Sequence, residues 1–82
     1  MIEVMIEILP KKDILDPQGK AVLLALKNLG FQNTSEVRMG KLIHLSLQTA
    51  SEEQALEECK KMCEELLVNP LIEFYRMEII RP

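Results

Sequence analysis

The sequence is poor in the residues from which chemical sites are usually built. In 82 residues there are one histidine, two cysteines, three glycines, one tyrosine, two phenylalanines and no tryptophan. A lone histidine, His44, offers no pair of groups with matched protonation states for acid–base catalysis. It falls in the middle of an alternating segment, where a surface or interface role is expected. Cys59 and Cys63 lie one helical turn apart, a poor geometry for a disulfide. Two thiols without a neighbouring histidine fall short of the four ligands of a structural zinc site. They read as small core-facing residues. Gly19, Gly30 and Gly40 are too scattered to build a phosphate-cradling loop. The three aromatics, Phe31, Phe74 and Tyr75, are too few for a stacking platform for bases.

Positive charge is also short. The formal net charge is −3, against the clustered Lys and Arg that a nucleic-acid partner requires. No apolar run reaches membrane-spanning length. Met1 to Glu7 carries acidic residues within its apolar stretch and lacks the basic start and cleavage site of a secretory signal. The expectation is a soluble cytoplasmic protein with no nucleic-acid or membrane partner.

What is present is the material of one folded unit. Hydrophobic residues make up 48% of the chain, well above the level of disordered segments. The length fits a single domain spanning residues 1–82, which on its own would bury only roughly 60–65% of its unfolded surface. Ile2 to Leu9 alternates as a strand, with Ile2, Val4, Ile6 and Ile8 on one face. Asp16-Pro17 starts a helix, an N-cap acceptor followed by proline at the first helical position. Ala21, Val22, Ala25, Leu26 and Leu29 form its apolar stripe, Leu23 and Leu24 lie outside it, and Gly30 ends it. After a polar connection, Val37-Arg38-Met39 reads as a short strand, Gly40-Lys41 as a turn or bulge, and Leu42 to Gln48 as a further strand. Ser51-Glu52-Glu53-Gln54 has capping-box spacing. The helix it opens runs to about Val68, with Ala55, Leu56, Cys59, Met62, Cys63, Leu66 and Leu67 as its stripe. Asn69-Pro70 stops it. Leu71 to Ile80 is a last strand with apolar residues on both sides.

The order strand, helix, strand, strand, helix, strand predicts a ferredoxin-like α+β sandwich: a four-stranded, mainly antiparallel sheet with two helices on one face. The other face then needs cover, and a second copy of the chain is the simplest candidate for oligomerisation through the sheet. An exchange of strands between copies fits the same pattern.

Chemistry on such a frame fails on placement. An acylphosphatase-like site needs an Arg-bearing anion loop after the first strand, but that loop is Pro10-Lys11-Lys12-Asp13-Ile14-Leu15. A metal-chaperone domain needs its cysteine pair in the same loop, and the cysteines are on the other helix. The glutamates of the second helix, interleaved with Lys60 and Lys61, read as a solvated face. No catalytic, cofactor-binding or metal-binding residue is expected. Two segments remain. Gly19 within the first helical turn is unfavourable by up to ~1 kcal/mol relative to Ala, which a close backbone approach by another chain would explain. Arg38 and Lys41 flank Gly40, and an Arg fork suits a partner's carboxylate or a bound anion.

These segments carry a resemblance. Asp16-Pro17-Gln18-Gly19, Ala21-Val22, Ala25-Leu26, Leu29-Gly30-Phe31, Val37-Arg38-x-Gly40-Lys41 and Asn69-Pro70-x-Ile72-Glu73-x-Tyr75 together resemble the PurS family, in order along nearly the whole chain. The resemblance implies a non-catalytic small subunit of phosphoribosylformylglycinamidine synthase, a carbon–nitrogen ligase of purine biosynthesis. That complex converts formylglycinamide ribonucleotide, glutamine and ATP to formylglycinamidine ribonucleotide. A PurQ-type glutaminase releases ammonia, and a PurL-type synthetase uses ATP and Mg²⁺. The small subunit binds no cofactor, joins the two, helps ammonia pass, and associates with itself as a dimer or tetramer. Asp16, Pro17, Gln18, Gly19, Arg38, Gly40, Lys41 and Tyr75 become candidate partner-interface residues. The alternative is an ACT-like dimeric regulatory module that binds a small molecule between two copies.

Overall fold

The structure is a computed structural model that describes residues 1–81. Its elements are β1 (Ile2–Pro10), α1 (Pro17–Asn28), β2 (Lys41–Leu47), α2 (Glu52–Met62), which runs on into one wide π-helical turn at Cys63–Leu67, and β3 (Glu73–Arg81). The strands form an antiparallel sheet in the order β2-β1-β3. The fold is α+β with two helices, as expected, but the sheet has three strands rather than four.

The alternation in β1 decides the core. Ile2, Val4, Ile6 and Ile8 are 0–1% exposed. The register sets Ile6 opposite Ile43 on one side and Met77 on the other, so Ile43, Leu45, Leu47, Tyr75, Met77 and Ile79 share that face. α2 covers it with Ala55, Cys59 and Cys63, all buried. The opposite face is more polar than apolar residues on both sides of β3 suggest. Arg76 donates to Glu7 at 2.7 Å, and Glu3 lies 3.3 Å from His44 and 3.2 Å from Arg81. Phe74 and Ile80 sit among these charges, both exposed.

The second helix begins on its predicted cap. Ser51 Oγ accepts from the Gln54 N–H at 3.2 Å. Its reciprocal half is replaced, because Thr49 Oγ1 accepts from the Ser51 N–H and donates to Gln54 Oε1. The helix ends differently from its predicted stripe. The Val68 N–H reaches back five residues to the Cys63 carbonyl at 3.1 Å. One extra residue in that turn rotates the side chains beyond it. Val68 is buried, while Leu66, expected on the stripe, is 82% exposed.

The largest departure is α1. It does not pack on the sheet of its own chain. β1 has nine residues and α1 twelve. At about 3.4 Å per strand residue and 1.5 Å per helical residue, the two laid end to end span about 48 Å. The molecule measures 48 × 26 × 13 Å. The helix therefore extends the long axis instead of folding back. Residues 31–40 return along it without joining the sheet, so the predicted strand Val37-Arg38-Met39 is the far side of a helical arm.

Candidate functional site: the root of the arm

The arm leaves the sheet at a compact junction, and the Asp-Pro-x-Gly sequence builds it. Asp16 caps α1, its Oδ1 accepting from the Gly19 N–H at 2.9 Å. Pro17 takes the first helical position. The second carboxylate oxygen, Oδ2, accepts from the Met39 N–H, also at 2.9 Å, across 23 residues of sequence. One side chain thus begins the helix and ties down the returning segment. The two backbone N–H groups, assisted by the nearby Arg38 charge, hold the Asp16 carboxyl below its usual range.

Gly19 owes its place to this crossing. A Cβ there would meet the Asp16 carboxylate and stand 2.5 Å from the Val37 carbonyl oxygen. The close approach expected of another chain is made by the protein's own backbone. Gly40 is neither turn nor bulge: a Cβ there would run into the Ile8 carbonyl where the returning segment crosses the end of β1. Gly30 ends α1 with φ of 105°, the left-handed region that the predicted helix stop requires.

Arg38 is held on both sides. Its guanidinium carbon lies 5.5 Å from the centre of the Phe74 ring, its Nε is 3.8 Å from Glu36, and its buried Nη2 has no hydrogen-bonding oxygen or nitrogen within reach. The π face of Phe74 is the group facing it. Arg38 lines a cleft of about 410 Å³ with Lys12, Lys20, Leu23 and Ser35. A second cleft of about 350 Å³ brings together Pro17, Gln18, Gly40 and Lys41 on the other side of Asp16. Lys41 reaches Glu73 at 3.5 Å. Seven of the eight candidate interface residues therefore converge on the arm root. The eighth, Tyr75, pairs in register with Ile8 at the same end of the sheet, but faces the core. Its phenol is pushed up by burial, with Cys63 and Glu64 adding to the shift.

One participant, Phe74, was not singled out in the sequence, whereas Leu23 was set apart there as lying outside the helical stripe. Phe74 is the platform for Arg38, and an aromatic paired with a distant arginine leaves no local pattern. Leu23 lies partly buried toward the return segment. The exposed side of α1 comprises Ala21, Val22, Leu24, Ala25 and Leu29. Among the described residues, no three His, Cys, Asp or Glu side chains gather as a metal site, and no helix is long and apolar enough to cross a membrane. The polar groups of the root mainly hold one another, as a joint does.

This architecture has relatives. Residues 3–81 match the family described as PurS, phosphoribosylformylglycinamidine (FGAM) synthase. The phosphoribosylformylglycinamidine synthase subunit PurS of Bacillus subtilis is 37% identical over 79 residues, covering 96% of this chain and 93% of that protein. The crystal structure of Methanocaldococcus jannaschii PurS, a subunit of formylglycinamide ribonucleotide amidotransferase, superposes with a TM-score of 0.87 at 35% identity, covering 100% and 99% of the two chains. A chain of the PurLQS structure from Thermotoga maritima gives 0.88 at 33% identity, covering 96% of each. With a match this complete in sequence and in three dimensions, the chain belongs to the PurS family.

Proposed function

We propose that this chain is the small, non-catalytic subunit of a phosphoribosylformylglycinamidine synthase, working in the cytoplasm in purine biosynthesis. It bridges a PurL-type synthetase, which uses ATP and Mg²⁺, and a PurQ-type glutaminase, and it helps ammonia pass between them. The observation that carries this reading is the end-to-end likeness, over 96% of both chains, to a chain of the PurLQS structure.

The site supports a geometric role. Both oxygens of Asp16 are occupied by backbone N–H groups, and Arg38 is fixed between Phe74 and Glu36. Such groups set the shape of a surface. Ammonia released into water protonates and diffuses away, so a subunit that closes the interface raises its effective concentration at the acceptor.

The test is Arg38→Gln in the reconstituted three-subunit complex. Glutamine-dependent synthesis should fall while turnover with added ammonium salt is retained. Equal loss of both activities from an intact complex would contradict a docking or channelling role.

A further inference from the structure

The cations of this protein are placed differently on the sheet and at the arm root. On the sheet each faces a carboxylate: Arg76 lies 2.7 Å from Glu7, Arg81 3.2 Å from Glu3 and Lys41 3.5 Å from Glu73. At the root, Lys12 from the loop after β1, Lys20 from the first turn of α1 and Arg38 from the returning segment line one cleft of about 410 Å³. Both lysines are exposed, and neither pairs with a carboxylate among the described residues. Two acids share the cleft wall. Asp16 gives both oxygens to backbone N–H groups, and Glu36 is the exposed neighbour of Arg38 at 3.8 Å. Three cations thus meet in one concavity of a chain whose net charge is −3.

Arg38 is the fixed member of the group. Its side chain is only 19% exposed and packs against the Phe74 ring. Glu36 is too far from Nε for a hydrogen bond, and the buried Nη2 has no oxygen or nitrogen acceptor. The π face of the ring eases the charge but accepts no more than a weak bond. A buried charged donor without an acceptor is costly and uncommon in native proteins. The lysines differ in kind, being flexible ammonium groups at the rim, able to swing onto whatever the arginine holds. Ser35 adds an exposed hydroxyl, and the half-buried Ile14, Leu23 and Val37 give the cleft an apolar wall. Its volume falls in the range of small-molecule sites, about 300–1,000 Å³. A single carboxylate cannot use this set of groups, because one Arg fork satisfies its two oxygens. A phosphate monoester carries up to about two charges and three free oxygens, enough to engage the arginine and both lysines together.

We infer that this cleft binds the phosphate group of a small phosphate monoester. Arg38 is the fixed clamp, Lys12 and Lys20 close over the remaining oxygens, Ser35 is a further donor, and the wall of Ile14, Leu23 and Val37 receives the body of the molecule. The ligand bridges the loop after β1, the start of α1 and the returning segment, so it stiffens the arm at its root. The site is separate from the bridging role proposed above and does not rest on it.

The experiment uses the isolated full chain, ¹⁵N-labelled, near neutral pH and at constant ionic strength. Inorganic phosphate and phenyl phosphate are titrated in while backbone amide shifts are followed, with acetate and chloride as controls. Both phosphates should give saturable shifts centred on Lys12, Lys20, Ser35 and Arg38. Phenyl phosphate should saturate at the lower concentration, because its ring reaches the apolar wall. The double variant Lys12→Gln/Lys20→Gln changes only exposed side chains. Its unliganded spectrum should stay native while its affinity for phenyl phosphate falls about tenfold. Arg38→Lys, which keeps the charge but not the fork, should weaken binding as well. Absence of saturation by either phosphate overturns the inference. So do shifts matched by acetate at the same concentration, which would mark the cleft as a seat for the carboxylate of an acidic protein segment. Phosphate shifts that the double variant leaves unchanged also overturn it, since they would arise elsewhere on the surface. None of these readouts involves the synthetase or the glutaminase.

Discussion

Replacing Gly19 with alanine reverses the usual sign of a glycine-to-alanine change in a helix. In an ordinary exposed helix the change stabilises by up to ~1 kcal/mol. Here the new Cβ would stand 2.5 Å from the Val37 carbonyl oxygen, so helix and returning segment must part by most of an ångström. The return segment cannot retreat freely. Two residues on, the Met39 N–H is bonded to Asp16, and Gly40 is seated against the Ile8 carbonyl. Forcing an extra methyl into a packed contact costs about 1–3 kcal/mol, and loosening the Met39 bond adds about 1 kcal/mol. After subtracting the helix-propensity gain, Gly19→Ala should destabilise by about 2 kcal/mol. For a domain of this size, that lowers Tm by roughly 8–16 °C. Thermal melts followed by circular dichroism, at fixed protein concentration because association shifts Tm, measure the effect. A variant as stable as the parent, or more so, would refute the close crossing of α1 and the return segment.

The arm root and the core each yield one more prediction. Because the Asp16 carboxyl is held below its ordinary range, the ionised form stabilises the folded state, in full above the ordinary carboxylate pKa and progressively less as pH falls through the lowered one. Asn at this position keeps one acceptor for the cap but loses the second, so the Tm gap between parent and Asp16→Asn should be constant near neutrality and close below about pH 4. A gap independent of pH would exclude the carboxylate as its source. Cys59 and Cys63 are both 0% exposed, and burial pushes both thiols up. Alkylation should therefore wait for opening of the core. An opening free energy of about 3 kcal/mol gives about 100-fold slower labelling in buffer than in urea, and labelling at the free-cysteine rate would contradict the packing of α2 on β1.

Much of this protein was legible in local patterns. The alternation of Ile2, Val4, Ile6 and Ile8 marks both the strand and its buried face, since residues two apart in a strand point the same way. Asp16-Pro17, Ser51 and Gly30 mark helix ends because each meets a backbone requirement within a few residues. The motifs from Asp16-Pro17 to Tyr75 were enough to place the chain in its family. The extra residue in the turn at Cys63–Leu67 was not legible, because Leu66, Leu67 and Val68 are all apolar and any of them could have faced inward. Nor was the partnership of Arg38 with Phe74, since 36 positions of sequence separate them.

What the sequence by itself determined is which side of β1 is apolar and where the two helices begin. What only the tertiary structure decided is what covers each apolar side. The apolar residues of α1 read the same whether the helix lies on its own sheet or reaches beyond it, because periodicity records a need for burial and not the identity of the burying surface. The choice is made at the arm root, where one carboxylate bonds two N–H groups 20 residues apart in the chain and two glycines admit backbone where a methyl would not fit. Contacts of that kind exist only once the chain has crossed itself.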